Sequence, residues 1–298
     1  MSELIDGNAV AALMREEIKG QVDRIREKHG EVPTLAVVLV GEDPASAVYV
    51  RMKGRDCEAT GIRPVQHTLD ASTSENELLD LIDRLNADPD INGILVQLPL
   101  PDHIREDLVI EGIDPARDVD GFHPVNVGRL VIGDSRCFRP CTPAGCQELI
   151  HRYEPDLKGK HVVVVGRSNI VGKPMANMMY QKNEQANCTV TICHTGTKDM
   201  GYFTRQADIL VVAAGRPGLV TADMVREGAI VIDVGMNRVD DPATEKGYRL
   251  VGDVDFENVR DKARAITPVP GGVGPLTRTM LLKNTLQAWY LQKGVDVC

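Results

Sequence analysis

The chain has 298 residues, a length that suits two domains of ordinary size, and 43% of them are hydrophobic, enough for real cores. Its formal net charge of −9 argues against nucleic acid or an anionic membrane surface as the main partner. No apolar run approaches the length of a membrane span and the N-terminus, Met1-Ser2-Glu3, lacks a charged-then-apolar leader, so a soluble, cytoplasmic protein is expected. The seven cysteines are odd in number and show no paired Cys-x-x-Cys spacing. Cys137, Cys141 and Cys146 cluster without a second set to complete a zinc site, so they read as reduced thiols and no metal is expected.

In chain order, a first helix is predicted over residues 7–28, with Val10, Leu13, Ile18, Val22 and Ile25 near one face. Residues 35–40 form a continuous apolar run ending at Gly41, which suits a strand buried on both faces. A helix over 44–60 follows, with Pro44 tolerated in its first turn and Gly61 placed to end it. Ser74-x-x-Glu77 is a capping-box pattern opening a helix through Leu78, Leu81, Ile82 and Leu85, and 91–97 is another buried strand. The alternation of strand and helix implies a mostly parallel sheet. A second α/β unit starts after Pro143, with Thr142 as its cap, and places strands at 161–165, 189–193, 209–213 and 230–234. In the segment 267–275, Pro268, Pro270 and Pro275 remove backbone donors, so no helix or central strand is expected to run through them. Gly271, Gly272 and Gly274 let the backbone lie close to a flat ligand, and this stiff, uncharged run reads as a wall of an active site. The last helix, 277–292, is expected to return to the first domain.

Several residues fall where chemistry is possible. Gly166 directly follows the strand His161-Val-Val-Val-Val165, and Gly172-Lys-Pro174 opens a helix, an arrangement that points unpaired N–H groups at a pyrophosphate. The loop fails the usual Gly-x-Gly-x-x-Gly spacing, since Ser168 stands at the second glycine and Gly172 falls one place late. Arg167 and the carboxylate-free strand end Cys193-His194-Thr195-Gly196-Thr197-Lys198 favour a 2′-phosphate, hence NADP over NAD. Ser46, Tyr49 and Lys53 share one helix face, and Gln97 closes a strand at the carboxyl edge of the sheet, where ligands bind in such folds. Asp118-Val-Asp120-Gly121 supplies two carboxylates in a loop. A Tyr-x-x-x-Lys pair also marks short-chain dehydrogenases, but those open with their glycine loop, whereas Tyr49 and Lys53 precede Gly166.

These residues, in this order, resemble the methylenetetrahydrofolate dehydrogenase/cyclohydrolase family nearly end to end. The resemblance rests on Asp6-Gly7, Ser46-x-x-Tyr49-x-x-x-Lys53, Gly93-Ile-Leu-Val-Gln-Leu-Pro-Leu-Pro101, Asp118-Val-Asp-Gly-Phe-His-Pro124, Pro140-Cys-Thr-Pro143, Gly166-Arg-Ser-x-Ile-Val-Gly172, Gly228-Ala-Ile-Val-Ile-Asp-Val-Gly235, Gly252-Asp-Val254 and the run Pro268 to Pro275. Leu276, Arg278, Thr279 and Thr195 are mild departures from the family pattern. The resemblance implies two α/β domains with a cleft between them. Residues 1–140 would be a catalytic, folate-binding domain, 141–276 a Rossmann-type NADP-binding domain, and a helix at about 277–298 would pack back on the first. It implies NADP-dependent oxidation of 5,10-methylenetetrahydrofolate to the methenyl form, then hydrolysis to 10-formyltetrahydrofolate. It assigns Lys53, Gln97 and Tyr49 to catalysis, and Tyr49, Asp120, Pro270, Gly271 and Gly272 to the folate. The cofactor falls to Gly166, Arg167, Ser168, Ile170, Gly172, His194, Thr195 and Gly235, and a homodimer is the family's habit. The alternative reading is a two-domain NADP dehydrogenase of a small hydroxy or keto acid, of the shikimate dehydrogenase kind, with Lys53 and Asp120 as the working pair.

Overall fold

A computed structural model describes residues 2–244 and 247–295; the end of the expected C-terminal segment, 296–298, lies outside the described residues. In chain order the elements are β1 (Glu3–Leu4), α1 (Gly7–His29), β2 (Thr34–Val40), α2 (Pro44–Thr60), β3 (Arg63–Leu69), α3 (Glu75–Ala87) and β4 (Gly93–Val96). Then come α4 (Glu106–Gly112), α5 (Pro124–Ile132), α6 (Cys141–Tyr153), β5 (His161–Val165), α7 (Gly172–Met179), β6 (Thr189–Cys193) and α8 (Met200–Thr204). The chain continues with β7 (Ile209–Val212), β8 (Ile230–Asp233), β9 (Asn237–Asp240), β10 (Tyr248–Val251), α9 (Phe256–Arg260), β11 (Ala265–Ile266) and α10 (Val273–Lys293). They divide into two compact units: residues 12–141 with those from Arg278 on, and residues up to Ala11 with Thr142–Thr277.

The first unit is built on a three-stranded parallel sheet in the order β3-β2-β4. All seven residues of β2 are buried, as its unbroken apolar run requires of a central strand. The capping box at Ser74 and Glu77 forms, and it starts α3 so that Leu78, Leu81, Ile82 and Leu85 meet Val38, Ile94 and Val96 in one core. Each such fully buried aliphatic side chain stabilises the fold by roughly 1.5–3 kcal/mol. Pro44 opens α2, Asp43 caps it by accepting the Ser46 N–H at 2.7 Å, and Gly61 ends it in the left-handed region. The sequence reading has no strand at Arg63–Leu69. That strand lies on the sheet edge with its side chains exposed or half-buried, so it carries no apolar run, and its Pro64 is tolerated there. From Arg278 onward α10 belongs to this unit, where Asn284 Nδ2 donates to Val119 O at 2.8 Å and to Arg139 O at 2.9 Å.

The second unit carries a six-stranded sheet in the order β1-β11-β8-β7-β5-β6, every neighbouring pair parallel. The first residues join it because Glu3 and Leu4 pair with Ala265 and Ile266. Strand β5 has β6 on one side and β7 on the other, so the connections leave it in opposite directions and open a crevice at its carboxyl end. Two expectations need correction here. Thr142 lies within α6 rather than before it, and its hydroxyl meets that of Thr277 at 3.1 Å. Helix α10 starts at Val273, so Gly274 and Pro275 are helical; a first-turn N–H has no partner inside the helix, and proline there sacrifices nothing. Pro268 and Pro270 stay outside any helix.

Candidate active site

In the first unit the predicted residues Lys53, Gln97 and Asp120 converge, carried by a helix, a strand end and a loop. Tyr49 and Lys53 are one turn apart on α2, which puts them on one face. The Gln97 N–H donates to Val38 O at 2.8 Å, continuing the sheet register one residue past β4. Its side-chain Nε2 donates to Leu98 O at 2.6 Å, so Oε1 is left to face Lys53 and accepts from Nζ at 2.9 Å. Tyr49 keeps 38% of its surface exposed, which makes the ring available for contact.

The loop that bears Asp120 is organised by its neighbour. The buried Asp118 carboxylate accepts from Gly121 N at 3.1 Å, Phe122 N at 3.2 Å, His123 N at 2.8 Å and Asn126 Nδ2 at 2.9 Å. Burial pushes Asp118 up to about 6 against the pull of those donors. Asp118 is therefore the frame and Asp120 the group it presents. Burial also raises Asp120, opposed by the Lys53 charge and by a hydrogen bond with the Cys141 thiol. Burial lowers Lys53, opposed chiefly by Asp120. Each member of the pair thus favours the charged form of the other, against the burial that disfavours both. Cys141, read from the sequence only as one of three clustered reduced thiols, is the neutral third member, its thiol pushed well above the usual range by burial. The six described cysteines are free and buried, and no group of three or more metal-ligating side chains occurs among the described residues.

The second unit holds a pocket of about 370 Å3 at the carboxyl ends of β5, β6 and β7. Of the residues expected there, Gly166, Arg167, Ser168, His194 and Thr195 line it. Ser168 Oγ accepts from Val171 N at 3.1 Å and Gly172 N at 3.3 Å, which closes the turn into α7 and accounts for the serine in place of a second glycine. His194 Nδ1 accepts the Gly196 N–H at 3.0 Å, leaving Nε2 as the donor, while Thr197 Oγ1 accepts the His194 N–H at 2.9 Å. Ile170, Gly172 and Gly235 are not among the lining residues. Ile170 is exposed, and Gly235 packs against the buried Asp253. Arg216, Met200 and Ala214 line the pocket unforeseen; a basic residue four places beyond the third strand of the unit was the available signal for Arg216. The lining holds two arginines and a histidine and no carboxylate, the donor set that an extra phosphate needs. Pro270, Gly271 and Gly272 belong to this second unit, where Gly272 N donates to Pro268 O at 3.0 Å.

Comparison with known proteins follows the same division. Residues 5–120 match the model of a tetrahydrofolate dehydrogenase/cyclohydrolase catalytic domain, and residues 140–293 match the NAD(P)-binding domain of the same name. The chain is 60% identical to the bifunctional protein FolD of Chlorobium limicola over 96% of its own length and 97% of that protein. Among solved structures it is similar to the bifunctional FolD of Campylobacter jejuni, at 50% identity and a TM-score of 0.91, covering 99% of each chain. A Trypanosoma brucei FolD complexed with NADP and an inhibitor is 40% identical with a TM-score of 0.91, over 97% of this chain and 98% of that one. A shikimate dehydrogenase with bound NADP+ reaches only 15% identity and a TM-score of 0.51, which is a likeness of fold alone.

Proposed function

This chain belongs to the tetrahydrofolate dehydrogenase/cyclohydrolase family, and from that premise we propose that Lys53, Gln97 and Asp120 carry its folate chemistry and the Arg167 pocket its cofactor. The protein is bifunctional: it oxidises 5,10-methylenetetrahydrofolate with NADP and hydrolyses the methenyl product to 10-formyltetrahydrofolate. The folate half comprises residues 12–141 with α10 from Arg278, and the nucleotide half the rest. The observation that carries the assignment is the 2.9 Å contact between Lys53 Nζ and Gln97 Oε1, with Asp120 acting on the same ammonium.

Oxidation takes a hydride from a carbon held between two nitrogens, which stabilise the cation left behind, so the protein's part is positioning. NADP, when bound, accepts that hydride. Asp120 pairs with the amide and amino edge of the pterin, and the Tyr49 ring stacks on the folate. In hydrolysis water adds to the methenyl carbon as Lys53 Nζ takes one of its protons; the bond from that carbon to one nitrogen then breaks, the departing nitrogen receives that proton, the second water proton is released to solvent as the formyl C=O forms, and Gln97 holds the amine in line. Arg167, Ser168 and His194, with Thr195, hold the cofactor phosphates; Gly166, Ile170, Gly172 and Gly235 shape the loops around them.

Two substitutions test the division of labour. Asp120→Ala is expected to raise the KM for the folate by about tenfold or more, the scale of a lost charge-assisted pair, with the NADP Kd nearly unchanged. A collapse of NADP affinity instead would move Asp120 out of the folate site. Arg167→Ala is expected to weaken NADP far more than NAD, since only NADP offers the 2′-phosphate; equal losses in a binding titration would show that Arg167 does not touch it.

The net charge of −9 argues against nucleic acid as the main partner, and no helix among the described residues is long and apolar enough to cross a membrane. Strand β6 leaves one edge of the six-stranded sheet unpaired with Ile192 and neighbouring Tyr202 exposed, which supports homodimerisation through the nucleotide half.

A further inference from the structure

The pocket wall that follows β7 is held from behind by a carboxylate buried away from the pocket. Asp253 is fully buried. Its Oδ2 accepts from Ala214 N at 2.6 Å and Gly215 N at 2.8 Å, and its Oδ1 accepts from Asn237 Nδ2 at 2.8 Å. Ala213, Ala214 and Arg216 line the nucleotide pocket, so the peptide that Asp253 grips is the wall itself. Two consecutive N–H groups at a strand end draw an anion, and here that anion is internal. Both donors are consequently committed to the protein interior, directly before Arg216 in the chain.

Asp253 is itself located by a second buried carboxylate. Asp233 accepts from Gly235 N, Asp253 N and Val254 N, each at 2.9 Å, and its own N–H donates to Thr267 Oγ1 at 2.7 Å. The two carboxylates fit only because glycines border them: a Cβ on Gly235 would overlap the Asp253 carboxyl group, and one on Gly252 would overlap that of Asp233. This gives Gly235 a reason to be glycine without any contact to a ligand.

Resting on the reading of this pocket as the NADP site, we propose that Asp253 is a positioning residue for the cofactor: it fixes the Ala214–Gly215 wall and the Arg216 side chain beyond it, and so sets NADP affinity from inside the fold. Asp253→Ala leaves two backbone donors without their acceptor and frees the wall. Asp253→Asn keeps one oxygen for those donors, and its NH2 can donate to Asn237 once that amide turns over.

The experiment measures NADP Kd by fluorescence titration beside hydrolysis of supplied methenyltetrahydrofolate, a step that uses no NADP. Asp253→Ala should raise the NADP Kd by about tenfold or more, as expected for bonds to a charged acceptor. Asp253→Asn should restore it to within about threefold, and hydrolysis should match wild type in both. A wild-type Kd in Asp253→Ala, an equal loss in Asp253→Asn, or hydrolysis falling in parallel would each overturn the proposal. If Asp253→Ala does not fold, Asn237→Ala, which removes the amide that Asp253 Oδ1 accepts from, loosens the same carboxylate and is read the same way. Arg167→Ala separates the two levels: if it loses NADP while Asp253→Ala does not, this inference alone fails; if neither does, the pocket is not the NADP site.

Discussion

Lys53→Met should lower methenyltetrahydrofolate hydrolysis by a factor of about 10² or more, the usual scale for removing a positioned acid or base. Methionine keeps the length of the side chain and suits the helix interior, so α2 with its Asp43 cap and Gly61 stop should persist. What disappears is the amine that Gln97 Oε1 holds at 2.9 Å. Dehydrogenase activity should survive in part, because hydride departure needs no proton from Lys53. It will not be untouched: Asp120 loses the charge that favours its ionised form, and the folate KM should rise.

The pH profile of the wild type supplies a second reading of the same group. Only neutral Lys53 takes a proton from water, so hydrolysis must climb as pH rises through its pKa. Burial lowers that pKa from the ordinary value of 10.5, so the climb should begin below the ordinary lysine range. On the acid side, binding through ionised Asp120 is lost as pH falls through a pKa that burial holds above 3.8. In Lys53→Met the alkaline limb should vanish and the acid limb should move upward. Wild-type rates of hydrolysis by a folded Lys53→Met variant, with methenyltetrahydrofolate supplied directly, would sink the assignment.

Much of the architecture was legible where a local rule and the long-range packing agree. Helix α2 begins at Pro44 and ends before Gly61, the capping box opens α3, and the uninterrupted valines of β5 lie buried between two parallel neighbours, all as their sequences predict. Strand β3 was illegible because an edge strand needs neither alternation nor an apolar run; β2 recruits it by backbone pairing from Thr34–Arg63 to Val40–Leu69. Pro275 misled for the opposite reason, since the rule against helical proline does not apply to the first turn.

The site divides the same way. Tyr49 and Lys53 are tied by helix spacing and can be paired by eye, and the glycine turn after β5 marks its own crevice. The carboxylates behind the pocket wall meet partners far away in the chain: Asp253 reaches Ala214 across 39 positions and Asp233 reaches Val254 across 21. No periodicity encodes those distances. They exist only once β7 and β8 lie side by side in the sheet.

Gly166→Ala should separate the two activities most cleanly. Gly166 sits at φ +131°, a backbone region that alanine enters only under strain, and an added Cβ would overlap the Ala213 carbonyl oxygen. Backbone strain of this kind costs on the order of 1–3 kcal/mol before any overlap is relieved. Relief must come from moving β5 away from β7, because the neighbour is main chain and has no rotamer to change. The hydrogen bonds at stake are those that set the crevice: Ala213 N to Val165 O and Gly166 N to Cys193 O, both 2.8 Å. NADP affinity should therefore fall by about 10² or more, equivalent to roughly 2.7 kcal/mol, and the melting temperature should drop. The residues proposed for hydrolysis, Lys53, Gln97 and Asp120, belong to the other compact unit, so hydrolysis of supplied methenyltetrahydrofolate should stay near wild type. NADPH formation followed by absorbance, set beside methenyl decay in the same preparation, reads both at once. Retained NADP affinity in a folded Gly166→Ala variant would remove the β5 turn from the cofactor site. Parallel loss of both activities would mean that the folate half does not work independently of the nucleotide half, and the assignment of hydrolysis to the first unit alone would have to be abandoned.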